Sequence, residues 1–297
     1  MSITIQVFIL FIVVLVGAAS RKLGYFTDES IHGTTQLVVN ITLPCLTIMN
    51  MQREFSMQVL KNFILALLIT AALIVVTLLL GLAIYRNRPR EKRAVLANLA
   101  GFSNCGFMGY PIILAVKPDW MMYAVAYNIA YNIVAWTLGV SLFCGKENIT
   151  LRRVLLNPNI VSAVIGFVFF CTGFTVPSVP AQAMTLIGGL TTPLSMLLIG
   201  TRVCGIRLGD FKDVDDHISA GLRLVVLPLA LYVVLRPLPI AHEVAATLYL
   251  LTAMPCATMT GMQAELYHGD ATFAARAIAY STLLSLASVP VMSLLLQ

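Results

Sequence analysis

Ten apolar segments, each close to the length of a membrane-spanning helix, follow one another along the chain, and this constrains the fold more than any other feature. They run over roughly residues 3–19, 33–50, 62–85, 94–116, 121–143, 159–175, 183–201, 218–235, 244–266 and 273–296. A helix crosses the hydrocarbon layer with about 20 apolar residues, so little of the 297-residue chain is left for a soluble domain. The runs are continuous, unlike the alternating strands of about ten residues in a membrane β-barrel. Lipid offers the backbone no hydrogen bonds, which leaves helices as the spanning structure. The expected fold is an all-α integral membrane protein of ten transmembrane helices. Only 11% of residues are charged and 59% are hydrophobic, against about 25% charged in soluble domains. That excludes a soluble enzyme and a disordered chain. The net charge of +6 sits between apolar runs and forms no basic stripe for nucleic acid.

Charge placement predicts orientation. No Lys or Arg precedes the first run, and Arg21 and Lys22 follow it, which points to an uncleaved helix with its N-terminus outside. Of the 19 Lys and Arg residues, all but Arg53, Lys61, Lys117 and Arg236 then fall on the inner side. The inner loops carry Arg86, Arg88, Arg90, Lys92 and Arg93, then Lys146, Arg152 and Arg153, then Arg202, Arg207 and Lys212. Arg223, Glu265 and Arg276 interrupt the apolar runs near segment ends, where a long side chain can snorkel to the interface. Both chain ends are expected outside, in a bacterial inner membrane.

Ten spans divide as five plus five, and a half with an odd number of spans enters the membrane inverted in its second copy. The expected organisation is a first repeat over 1–143, a cytoplasmic linker over 144–158 and a second repeat over 159–297. Matching breaks support the division. Leu43-Pro44-Cys45-Leu46 in the second segment answers Thr192-Pro193-Leu194-Ser195 in the seventh. Ser103-Asn104-Cys105-Gly106-Phe107-Met108-Gly109-Tyr110-Pro111 in the fourth answers Pro255-Cys256-Ala257-Thr258-Met259-Thr260-Gly261 in the ninth. Gly109 set against Gly261 places Ser103 against Pro255 and Asn104 against Cys256. Proline removes a donor and clashes one turn back, breaking the helix. Facing breaks near the midplane expose helix N-termini, which favour anions. The pattern points to a transporter.

These passages resemble the auxin efflux carrier family, whose bacterial members are similar to the plant PIN-type carriers. Asn104 to Pro111 resembles the family's fourth-helix N-x-x-x-M-G-x-P pattern, Ala253-Met254-Pro255 its ninth-helix proline break, Thr192-Pro193-Leu194-Ser195-Met196 with Gly200 its seventh helix, and Ser281-Thr282-Leu283-Leu284-Ser285 with Pro290 its last. The resemblance covers nearly the whole chain. It implies two inverted five-helix repeats of the sodium/proton antiporter and bile-acid carrier type, crossing broken helices 4 and 9, and a domain that moves like an elevator. It implies small organic anions as substrates, auxin in plants and short carboxylates such as malate or malonate in bacteria, and a homodimer as in plant relatives. Ser103 stands where the plant fourth helix has its crossover proline, and the long plant loop is absent.

The substrate-contact candidates follow from the breaks. Asn104 offers an amide that either binds a carboxylate or caps the broken helix. Ser103, Cys105 and Gly106 would supply N–H groups from one side, and Cys256, Ala257 and Thr258 from the other, with Pro111 and Pro255, which carry no N–H, as the prolines of the two breaks. Asn40 lies one turn before Pro44, where its amide either meets substrate or mends the gap. Asn128 and Asn132 share a helix face that either lines the path or holds helices together. Glu265 and His268 sit near the inner end of the ninth segment. No cofactor or metal is expected: the six cysteines form no C-x-x-C pair, and His242-Glu243 starts an H-E-x-x-H motif that lacks its second His. A cation exchanger of the same fold, with cations held by carbonyls at the breaks, and a non-transporting sensor are the alternatives.

Overall fold

The computed structural model describes residues 3–144, 152, 155–204, 211 and 213–296. In chain order the helices are α1 (Ile3–Lys22), α2 (28–50), α3 (Met57–Ile84), α4 (Arg90–Gly101), α5 (Cys105–Val116), α6 (Pro118–Cys144), α7 (Pro158–Thr172), α8 (Ser178–Gly189), α9 (Thr191–Val203), α10 (Val214–Leu235), α11 (His242–Thr252), α12 (Thr258–Leu266) and α13 (Ala271–Leu296). Among the described residues there is no β-strand, only one isolated bridge. Each apolar segment is one helix or a broken pair, the fourth being α4 and α5, the seventh α8 and α9, the ninth α11 and α12. Among the described residues six spans are long and apolar enough to cross a membrane: α1, α3, α6, α8 with α9, α10 and α13; α5 and α7 are shorter apolar helices. Most of the expected 144–158 linker, with Lys146 and Arg153, and the loop cations Arg207 and Lys212 lie outside the described residues.

Local chemistry sets the helix ends. Thr27 accepts from the Ser30 N–H while the Ser30 hydroxyl accepts from the Thr27 N–H, a capping box that starts α2 at Asp28, earlier than the expected 33. Asp213 accepts from the Asp215 N–H and starts α10 at Val214, not 218. Gly173, at φ 68°, ends α7 at Thr172, short of 175.

Three helices take a wide turn just before a proline: Val38–Thr42 before Pro44, Cys105–Gly109 before Pro111, and Leu222–Val226 before Pro228. The proline ring pushes away the carbonyl one turn back. The residue before it bonds five positions back instead, Leu43 to Val38, Tyr110 to Cys105 and Leu227 to Leu222. Such a turn inserts one extra residue into the helix.

The surface is the inverse of a soluble protein's. Along α3, Ile64, Leu68, Val76 and Leu79 are exposed while Asn62, Thr70 and Thr77 are buried. Thr70 and Thr77 hydroxyls donate to the carbonyls of Ala66 and Leu73. Apolar groups face outward and polar groups find partners inside, as lipid requires. Close helix approach rests on small residues. A Cβ on Gly200 of α9 would collide with the backbone of Val14 and Ala18 in α1, and one on Gly17 of α1 with the Leu197 backbone. Helix α7 packs on α2 as α1 packs on α9. The hydroxyls of Thr42 and Thr191, each two residues before its proline, meet at 2.9 Å.

At the end holding the arginine-rich α3–α4 loop, ion pairs tie the two halves together. Lys92 pairs with Asp213 at 2.5 Å and Asp215 at 2.8 Å, and Arg88 with Asp215 at 2.9 Å. Arg276 pairs with Asp216 at 2.9 Å and Asp213 at 3.4 Å. Arg276 therefore does not snorkel freely as expected; it is held by carboxylates of the α10 first turn and its cap.

Candidate functional site

Two interruptions meet inside the helical body. Helix α4 stops at Gly101, Phe102 is extended at φ −112°, ψ 120°, and helix resumes at Cys105. Helix α11 stops at Thr252, and Ala257 is extended at φ −68°, ψ 132° before α12. The Asn104 N–H donates to the Pro255 carbonyl at 2.8 Å, and the Ala257 N–H to the Phe102 carbonyl at 3.0 Å. This antiparallel bridge pairs Ser103 with Cys256. Exchanging Ser103 with Cys256 maps one bond onto the other, so the local equivalence is Ser103–Cys256 and Asn104–Ala257, one residue from the expected Ser103–Pro255. The extra residue of the wide turn Cys105–Gly109 accounts for it. A register anchored on the glycines beyond that turn is displaced before it.

The break residues are brought together and sealed. Ser103 and Cys256 are 0% exposed, Cys105 and Ala257 1%, Asn104 4%, and Pro255 is buried. The Ser103 hydroxyl lies 3.0 Å from the Tyr127 hydroxyl, and the Cys256 N–H donates to Ser281 Oγ at 3.2 Å. Both breaks thus have a hydroxyl-bearing neighbour, on α6 and α13. Asn104 closes the first turn of α5 with its main-chain carbonyl, which accepts from Met108 and Gly109. Its side chain makes no cap bond, and its Nδ2 is buried with no hydrogen-bond partner among the described residues. The amide therefore does not cap the helix. First-turn N–H groups have no acceptor one turn back, which leaves those of Gly106 and Phe107 facing this amide's end of α5 and those of Thr258 and Met259 opening α12. Gly106 and Thr258 are half-buried, and a Cβ on Gly106 would come no closer than 3.8 Å, to Asn128 Nδ2. Pro111 is buried in the first regular turn after the wide one.

Asn128 and Asn132 belong to a relay. Asn157 Nδ2 donates to Asn132 Oδ1 at 3.2 Å, Asn132 Nδ2 to Asn128 Oδ1 at 2.7 Å, and Asn128 Nδ2 to Cys105 Sγ at 3.4 Å. These amides join α6 to the break and to the cap of α7. Asn40 is not brought to the breaks: it is exposed, and its Nδ2 donates to Gln36 at 2.6 Å rather than mending the gap before Pro44. Pro44 is half-buried at the end of its wide turn in α2. Glu265 and His268 are exposed, His268 at φ 57° in the α12–α13 turn.

Two arginines matter more than their sequence context indicates. Arg223 does not snorkel. It is 1% exposed, and its guanidinium donates to the carbonyls of Ala100 at 2.9 Å, Thr252 at 2.9 Å and Met254 at 3.3 Å, bridging the ends of α4 and α11. Reading Asp213, Asp215 and Asp216 as loop placed the start of α10 late and made Arg223 look terminal. With Asp213 as the cap, Arg223 falls mid-helix, in the wide turn Leu222–Val226. An ionisable residue at that depth is a functional signal by default. Arg202, near the end of α9, stands 5.8 Å from the centre of the Phe107 ring in the first turn of α5. Its guanidinium has no carboxylate partner among the described residues.

The chain matches the family model described as membrane transport protein over residues 2–150 and 147–293. An uncharacterized transporter of Methanocaldococcus jannaschii is 23% identical over 294 residues, covering 94% of each chain. One of Methanothermobacter thermautotrophicus is 23% identical over 294 residues, covering 96% of this chain and 95% of that one. The uncharacterized transporter YfdV of Escherichia coli is 20% identical over 237 residues, 75% of each. With its apolar spans, its break motifs and this match along almost its whole length, the chain is a multi-pass membrane protein and belongs to the membrane transport protein family, the auxin efflux carriers that its motifs resemble.

Proposed function

We propose that this protein is a secondary transporter of small organic anions, short carboxylates such as malate or malonate or auxin-like acids, working by alternating access about the paired breaks. One observation carries the reading: Asn104 holds an unpaired amide donor, 4% exposed, beside the first-turn N–H groups of α5. A buried donor without a partner is costly, and a carboxylate supplies the acceptor. Helix N-termini add positive potential, and Arg202 over Phe107 brings a full charge to the same turn. The breaks carry amide, hydroxyl, thiol and main-chain groups rather than the carboxylates through which a cation exchanger of this fold would bind its ions.

The reading takes the ten helical segments as ten spans in two inverted repeats, 1–143 and 159–297. The reciprocal packing of α1 on α9 and α7 on α2, the Thr42–Thr191 contact and the two-fold bridge at the breaks support it. In it α4–α5 and α11–α12 are the crossing pair that moves against the rest as an elevator, both ends lie outside the cell membrane, and a second copy of the chain completes a dimer. Asn128 and Asn132 position Cys105 rather than meet substrate.

The test is ligand-dependent thermal stabilisation of the purified protein over a panel of mono- and dicarboxylates with indole-3-acetate, followed by flux into liposomes. A saturable response to a carboxylate that disappears in Asn104→Leu is the expected result. A folded Asn104→Leu protein that binds and transports normally removes the amide from the site, and no response to any anion ends the organic-anion reading.

A further inference from the structure

Helices α4 and α11 both end at the breaks, and their last carbonyls converge on one side chain. A helix C-terminus carries about half an elementary negative charge, so two of them meeting in a buried place need roughly one positive charge. In broken-helix carriers such carbonyl ends are where a sodium ion or proton is held. Here the carbonyls of Ala100, Thr252 and Met254 take hydrogen bonds from Nη1, Nη2 and Nε of Arg223. The wide turn Leu222–Val226, set by Pro228, is the stretch of α10 that carries this side chain, and it packs against α4 and α13.

We infer that Arg223 is a built-in cation that supplies the positive charge the two converging helix C-termini require, in the place where a metal ion would otherwise bind. A guanidinium keeps its proton at any pH a protein survives, so the charge is permanent. Its planar fork donates along three directions to main-chain oxygens from both breaks, so it also pins α4 to α11 in one geometry. A metal ion bound at the same carbonyls would have to displace it or sit beside a like charge in a low-dielectric interior, and both are unfavourable. Arg223 is thus a positioning residue, distinct from the Asn104 amide that would touch substrate.

The cation role is tested without any substrate, so it stands or falls apart from the transport reading. The full-length protein in detergent is compared at equal ionic strength in sodium, potassium and choline chloride, and the wild type is expected to melt at the same temperature in all three. Arg223→Ala is expected to melt lower, and millimolar ethylguanidinium is expected to restore part of the loss where uncharged ethylurea of the same shape does not. Equal rescue by both compounds, or none, reduces Arg223 to packing and overturns the proposal. If Arg223→Ala does not fold, Arg223→Lys and Arg223→Met replace it: the charged variant is expected to be the more stable, and a methionine variant as stable as lysine overturns the cation role. A wild type that melts markedly higher in sodium or potassium than in choline shows a metal ion at these carbonyls and overturns the proposal.

Discussion

The two breaks share a backbone and differ in chemistry. Each gives one N–H to a carbonyl of the other, at 2.8 and 3.0 Å, and each rests against a hydroxyl from a neighbouring helix. At the position equivalent to Asn104 the second break has Ala257, a methyl group where the first has an amide. Arg223 divides unevenly too, with two bonds to the second break and one to the first. Arg202 reaches the first turn of α5 through Phe107. The difference teaches that symmetric main-chain geometry joins the breaks while their side chains differ: the first holds an unpaired amide, which the proposed function uses for recognition, and the second takes most of the bonds of the buried guanidinium.

The largest effect is expected where that guanidinium is removed. Arg223→Met leaves three buried carbonyls without donors, and each unsatisfied group costs about 1–3 kcal/mol. Its melting temperature should fall further than that of any single side-chain change at the first break. If Ser103→Ala or Asn104→Leu destabilises as much, the division of roles fails. The next effect concerns binding. Asn104→Leu should cost affinity for the anion on the order of 10- to 100-fold, the value of a hydrogen bond to a charged group, with little change in melting because the amide has no partner to lose. Ala257→Gly keeps the main-chain N–H and should bind nearly as the wild type does; titration of both variants with the stabilising carboxylate decides. Equal losses would make the breaks equivalent in recognition as well as in backbone.

Much of this layout is legible in the sequence, because prolines, glycines and apolar runs act locally. Pro44, Pro111 and Pro255 mark interruptions that the backbone obeys, and Asn104 is buried beside one of them. What is not legible depends on register and direction. The one-residue displacement between the halves comes from the wide turn at Cys105–Gly109, a shape that periodicity does not reveal. Asn40 has the right spacing from Pro44 but faces outward, since spacing along a helix does not say which face is buried. Arg223 was hidden by a boundary: the acidic run Asp213 to Asp216 reads as loop until Asp213 is recognised as a cap. Its partners are main-chain carbonyls, which no residue pattern records.

A smaller test concerns the two hydroxyl neighbours. Ser281→Ala strips the acceptor from the buried Cys256 N–H and should cost about 1–3 kcal/mol, the penalty for an orphaned donor. Tyr127→Phe removes one hydroxyl pair with Ser103 and should cost about 0.5–1.5 kcal/mol, the net value of an ordinary hydrogen bond. Chemical or thermal unfolding of the two variants ranks them. The reverse order would place the more critical support at the first break.

The smallest effect lies at the charged end, where Arg88 and Lys92 of the first half meet carboxylates of the second, which also hold Arg276 of their own half. The hydrogen bond from Lys92 holds the Asp213 carboxyl below its ordinary value, and the main-chain bond from Asp215 and the Arg276 charge act in the same direction against its partial burial. Burial pulls the Lys92 ammonium down, but its bonds to Asp213 and Asp215 outweigh this and leave it raised. A depressed carboxyl stabilises the fold above its unfolded value of about 3.9, and the contribution is lost as pH falls through the lower folded value. A raised ammonium contributes below about 10.4 and loses its contribution as pH rises through the higher folded value. Between those limits the contributions of these two groups should not depend on pH. The Asp213 side chain is 33% exposed, so solvent screens the pair and the effect is modest. Asp213→Asn keeps the cap of α10, since Asn serves as well as Asp there, and removes only the charge. Melting curves of wild type and Asp213→Asn should run a constant small interval apart from about pH 5 to 9 and converge as the wild-type carboxyl protonates below about pH 4. Curves that coincide throughout would show that the halves are held at this end by packing, and that the charge asymmetry matters only at the breaks.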